Sequence, residues 1–149
     1  IEAVVGGGDA DAIGLAIWQK KSAGIDTFGS ESVSVTDSQG FSHTINYNRP
    51  LPIDIWLNIA VTEYPEEALP ADASTRIIDA VMNYAKTLTV GNDVILQRIM
   101  GEIYRNVSGI GYITITASTD GVTYSASNIA ISAREIAVFD ESKVQVTIS

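Results

Sequence analysis

The chain has 149 residues, with 18 acidic against nine basic side chains, a net charge of −9, 46% apolar residues and no cysteine. That apolar content offsets chain entropy and excludes a disordered chain, and the length suits one compact body or two small ones. The acidity removes the phosphate-neutralising term on which nucleic-acid binding and anionic membrane surfaces depend, and the missing cysteines exclude disulfides, Cys-zinc sites and a thiol nucleophile.

Ile1–Val5 reads as a short strand, broken by Gly6-Gly7-Gly8. Asp9 or Asp11 is then placed to cap a helix from about Ala10 to Lys21, with Lys20 and Lys21 at its cation-favouring end and Gly24 expected at C′. Its apolar arc (Ile13, Gly14, Leu15, Ile17, Trp18) is too wide for one contact. Ser32–Thr36 and Phe41–Tyr47 alternate around Asp37-Ser38-Gln39-Gly40, which predicts a hairpin with Phe41, His43, Ile45 and Tyr47 on one face. Arg49-Pro50-Leu51-Pro52 reads as a stiff connector and a subdomain boundary, giving units 1–49 and 50–149.

The second unit opens with a long strand, Ile53–Thr62. Ile53, Ile55, Leu57, Ile59 and Val61 share one face, and Asp54, Trp56, Asn58, Ala60 and Thr62 the other. After an acidic, Pro-bounded loop, Asp72 or Ser74 caps a helix running to about Leu88, with Ile77, Ile78, Val81, Met82, Ala85 and Leu88 in one arc and Tyr84 at its edge. Asn92 or Asp93 caps a further helix to about Val107, striped by Ile95, Leu96, Ile99, Met100, Ile103 and Val107. Strand signals follow at Tyr112–Ala117, Ser127–Ala133, Ile136–Phe139 and Val144–Ile148, with a hairpin-type turn at Ser118-Thr119-Asp120-Gly121. The expected class is α+β: a β-α-β-β unit with a hairpin, then β-α-α followed by three or four antiparallel strands. No apolar run approaches the ~20 residues of a membrane helix. The opening Ile1-Glu2, without Met, is what a fragment of a longer protein would show.

The residues that could carry chemistry have simpler roles. Gly6-Gly7-Gly8 lacks the Lys-Ser/Thr of a phosphate loop, and Asp9 would repel phosphate, so a strand-to-helix turn is the better reading. Asp9 and Asp11 have no cation-loop spacing around them. His43, the only histidine, lies between Phe41 and Ile45 with no nucleophile elbow in the chain. Glu63, Glu66 and Glu67 read as a solvated acidic loop. Trp56 stands opposite five aliphatic residues of its own strand, so either that strand is covered on both sides or Trp56 marks an interface. Trp18 poses the same question on the first helix. No catalytic, cofactor or metal residue is assigned; Trp18, Trp56 and Ala60 are the candidate interface residues.

Several segments together resemble the C-terminal part of the bacteriophage baseplate J-like family, the Mu-type wedge proteins of contractile tails. They are Glu2-Ala3-Val4-Val5-Gly6-Gly7-Gly8-Asp9 with Ile13; Lys21-Ser22-Ala23-Gly24-Ile25-Asp26-Thr27-Phe28-Gly29, where Ser22 stands at a usual Pro; Val33 to Gly40; Ile45-Asn46-Tyr47-Asn48-Arg49-Pro50; Leu88-Thr89-Val90-Gly91-Asn92-Asp93-Val94; and Ser118-Thr119-Asp120-Gly121. The resemblance rests on their order and spacing and spans nearly the whole chain. It implies a structural role without catalysis or cofactor, in a tail baseplate of the virion. The implied partners are other wedge and hub proteins or further copies of the chain, with no nucleic acid and no membrane insertion. Two rivals remain: a tail-associated carbohydrate-binding or glycan-hydrolysing module using the Glu63–Glu67 loop, and a self-assembling α+β domain unrelated to phage.

Overall fold

An N-cap and a hairpin organise the first 51 residues. In the computed structural model, which describes residues 1–149, helix α1 (Ala10–Lys20) starts where Asp9 Oδ2 accepts from Ala12 N at 3.2 Å. Strands β1 (Glu31–Thr36) and β2 (Ser42–Tyr47) pair antiparallel, from Glu31 opposite Tyr47 to Thr36 opposite Ser42. The Asp37 carboxylate fixes the turn by accepting from Gln39 N and Phe41 N, both at 2.9 Å. α1 packs on the hairpin through Gly14, where a Cβ would fall 2.4 Å from Val33. Ile13, Val35, Ile45 and Tyr47 are the buried apolar residues of this unit.

Three expectations change here. Ile1–Val5 is not a strand: Glu2 and Val4 make single parallel bridges, to Phe28 and Asn48, so no continuous partner exists for a ladder. Gly24 is not the C′ residue, because α1 already leaves helical geometry at Lys21; Gly24 takes its φ of +77° in the following turn. Phe41 lies outside β2 and is 65% exposed, because its N–H is drawn into the Asp37 turn.

The chain divides into two compact units, Ile1–Leu51 and Pro52–Ser149. Leu51 and Pro52 are not a free connector: they are the first residues of β3 (Leu51–Glu63), where Pro is tolerated at a strand start. Along β3, Ile55, Leu57, Ile59 and Val61 are buried, each burial contributing ~1.5–3 kcal/mol. They meet Ile77, Ala80, Val81 and Tyr84 of α2 (Ala73–Ala85) and Ile99 and Ile103 of α3 (Leu96–Asn106) in one continuous core. Ile113, Ile115 and Ala117 of β4 (Ile110–Ser118) and Val144 of β5 (Glu135–Ile148) complete it.

Both helices are shorter than their apolar stripes. α2 stops at Ala85 because Tyr84 O accepts from Thr87 N and Thr87 Oγ1, closing the last turn tightly before Leu88. Asp72 sits at the N-cap position, but its carboxylate pairs with Arg76 Nε at 2.8 Å rather than capping. α3 starts at Leu96, not at Asn92 or Asp93, because those side chains are engaged elsewhere. Asn92 Oδ1 accepts from Thr89, and Asp93 Oδ1 accepts from Ile131 N. Two groups distant in sequence close the helix start instead: Tyr84 OH accepts from Ile95 N at 2.9 Å, and Asn128 Oδ1 from Leu96 N at 3.0 Å.

The sheet order is β4-β3-β5. β4 runs antiparallel to β3, with Trp56 opposite Ser118 and Ile59 opposite Ile115. β5 runs parallel to β3: Ser149 N donates to Val61 O while Glu63 N donates to Ser149 O, the staggered pattern of a parallel pair. The three or four antiparallel strands expected after α3 are therefore two, and only β4 is antiparallel to the central strand. Residues 127–133 contribute a single bridge, Ile129 to Val94, and the two last strand signals merge into β5. The connection from β3 to β5 runs through α2, α3 and β4, long enough for the crossover that a parallel pair requires.

Candidate interaction surface

Side chains alternate across a strand, so burying one face of β3 turns Asp54, Trp56, Asn58, Ala60 and Thr62 to the other. The same rule turns Tyr112, Thr114 and Thr116 outward from β4. On β5 it turns out Lys143, Gln145 and Thr147. α2 packs on β5 and α3 on β4, both from the core side, and no helix or strand of this unit covers the outer face. Its centre is a shallow groove lined by Asn58, Ala60, Thr114, Thr116, Gln145 and Thr147. These side chains are small or neutral, and the register sets Asn58 beside Thr116 and Ala60 beside Thr114. Aromatic rings stand at the two ends: Trp56 at the Ser118 end and Tyr112, 65% exposed, beside Thr62.

Trp56 is braced rather than free. A Cβ on Gly121 would fall 3.1 Å from its Nε1, so the turn backbone rests against the indole. That turn is fixed by Asp120, whose Oδ1 accepts from Ser118 Oγ at 2.6 Å and from Val122 N and Thr123 N at 2.8 Å. These hydrogen bonds, the serine's first, hold the Asp120 carboxyl well below its ordinary range. Lys143 Nζ lies 4.6 Å from the Trp56 ring centroid and 3.0 Å from Asp54 Oδ1. Beside this group opens a cavity of about 460 Å³, lined by Pro52, Ile53, Asp54, Trp56, Thr119, Ala130 and Glu135.

The first unit carries a separate aromatic cluster. Trp18 stacks on His43, with Lys21 Nζ 4.8 Å from the indole centroid. His43 Nε2 donates to Asp37 Oδ2 at 2.8 Å. Of the three candidate interface residues, then, Trp56 and Ala60 share the outer face of β3, while Trp18 is engaged within its own unit.

The remaining candidates take structural roles. Glu63 Oε1 accepts from Leu69 N at 2.9 Å and Glu66 Oε2 from Tyr64 OH at 3.2 Å, so both carboxylates shape their own loop. Arg49 donates to Val5 O and Gly8 O, holding the glycine segment in its turn. No group of three or more His, Asp or Glu residues is placed to hold a metal ion. Sequence reading missed Gly121 and Lys143 as neighbours of Trp56. Alternation would have turned Lys143 outward with Gln145 had the last strand been started earlier. Compared with family models and with curated proteins, the chain matches none.

Proposed function

We propose that the chain is an assembly module, a wedge-subunit fragment of a phage contractile-tail baseplate that works by protein–protein contact without catalysis. The observation that carries this reading is the outer face of the β4-β3-β5 sheet, which no helix or strand of its own unit covers. Small neutral side chains are level there between two aromatic rings, and uncharged interface centres with aromatic anchors are favoured in protein association. The specific assignment to a baseplate rests on the order of the Glu2–Asp9, Lys21–Gly29, Ile45–Pro50 and Leu88–Val94 segments.

The test is Ala60→Arg, which puts a charged side chain in the middle of the groove and removes nothing from the core. Far-UV circular dichroism and the unfolding midpoint stay unchanged, while co-purification with tail proteins encoded beside this chain is lost. Contractile particles assembled normally from the variant would refute the surface assignment.

A further inference from the structure

We propose that the cavity beside Trp56 receives a guanidinium group, carried by an arginine of a partner protein. The proposal holds for any partner and does not depend on the baseplate reading.

Three observations lead to it. First, the cavity combines an indole, an aliphatic wall from Pro52 and Ile53, and two carboxylates, Asp54 and Glu135. An aromatic face beside carboxylates is the combination that a flat, weakly hydrated cation selects, by stacking and by paired hydrogen bonds. Second, the chain already seats a cation on two of these groups. Lys143 lies over the indole and on Asp54, with its side chain three-quarters covered. The indole and Asp54 are therefore a working cation seat. Both also line the adjoining cavity, where Glu135 adds a second carboxylate. Third, the site is set in place before a ligand arrives. Gly121 and the Asp120 turn brace the indole, and Ser132 N donates to Glu135 Oε2 at 2.8 Å. Little ordering is then left for binding to cost. The net charge of −9 favours a basic partner in the same sense.

Lysine is the other natural cation, and Lys143 makes the comparison sharp. An ammonium group is a point charge and must displace Lys143 to use the same contacts. A guanidinium plane competes with Lys143 for the indole too, but it adds paired hydrogen bonds to Glu135 that a point charge does not make.

The experiment titrates the whole chain with N-acetyl-arginine amide and, separately, N-acetyl-lysine amide at low salt, following the Trp56 indole N–H by NMR. Trp18→Phe assigns the two indole signals, and sodium chloride at equal ionic strength is the control. The expected result is saturable movement of the Trp56 signal at millimolar arginine amide, with lysine amide weaker. Glu135→Gln weakens arginine binding about threefold, and Lys143→Met, which keeps the aliphatic stem but frees the indole and Asp54, tightens it about threefold. Movement that never saturates or is matched by sodium chloride overturns the proposal. So does lysine binding equal to or tighter than arginine. Unchanged affinity in Glu135→Gln overturns it even if Lys143→Met does not fold.

Discussion

The Trp18 indole lies nearly flat on the His43 imidazole, with ring centroids 4.0 Å apart and planes 23° from parallel. Helix α1 and strand β2 thereby meet through two half-exposed rings, and the imidazole in turn donates to Asp37 in the hairpin turn.

This chain of contacts makes the hairpin sensitive to acid. The hydrogen bond from His43, followed by the one from Phe41 N, holds the Asp37 carboxyl below its ordinary value of 3.8. A group with a lowered folded value stabilises fully above its unfolded value, and that stabilisation is lost as pH falls through the folded one. Asp37→Asn should therefore destabilise the first unit at about pH 6, and the gap to wild type should narrow below pH 3.8. Urea unfolding followed by Trp18 fluorescence, in a Trp56→Phe background, measures it. A gap that stays constant across this range would show that Asp37 does not contribute through its charge.

Gly14→Ala sets helix propensity against packing. Alanine gains ~0.8–1 kcal/mol over glycine inside a helix. At Gly14, however, the new methyl would lie 2.4 Å from Val33 Cγ1 and 3.1 Å from Val35 Cγ2, and overpacking costs ~1–3 kcal/mol. The clash should win, with a lower denaturation midpoint. Gly14→Ala combined with Val33→Ala should recover part of the loss, because the nearest obstructing atoms are then gone.

The start of α3 depends on two side chains from other segments. Tyr84→Phe removes the acceptor for Ile95 N, and Asn128→Ala the acceptor for Leu96 N. Each loss should cost ~1–2 kcal/mol, because a part-buried N–H is left unpaired. Amide exchange is the measurement. The first turn of α3 should exchange faster in either variant, whereas the last turn of α2 keeps its protection in Asn128→Ala.

The two units should differ in independence. The continuous apolar core contains only residues from the second unit, whereas the first buries Ile13, Val35, Ile45 and Tyr47. A fragment spanning Pro52–Ser149 should unfold cooperatively by itself. One spanning Ile1–Leu51 should lack dispersed amide resonances, being short for an unstapled fold. Dispersion in the short fragment would show that capping and hairpin hydrogen bonds suffice there.

Period-2 alternation over residues 53–62 was enough to place Trp56 and Ala60 on one face, because each step along a strand reverses the side. The helix stripes through Ile77 and Val81 and through Ile99 and Ile103 were equally legible. The ends of those helices were not, because local polar residues such as Asn92 and Asp93 bond elsewhere while Tyr84 and Asn128 take their place. The parallel sense of β5 was also hidden. Alternation says which side a residue faces but not which edge of the sheet its strand joins. Lys143 was missed because the last strand signal begins one residue past it, at Val144, and the partner of Trp18 because nothing in the spacing of α1 and the hairpin says that Trp18 would meet His43.

The parallel alignment of β5 with β3 also bears on synthesis. The central strand is translated first among the three and its far edge is matched last, by residues more than 80 positions downstream. While ribosomes deliver the intervening stretch, that flank stays open to any extended segment nearby. Crowded polysomes are accordingly the stage at which this polypeptide is most prone to mispair, and co-expressed holdase chaperones should raise its yield more than they raise its resistance to heat.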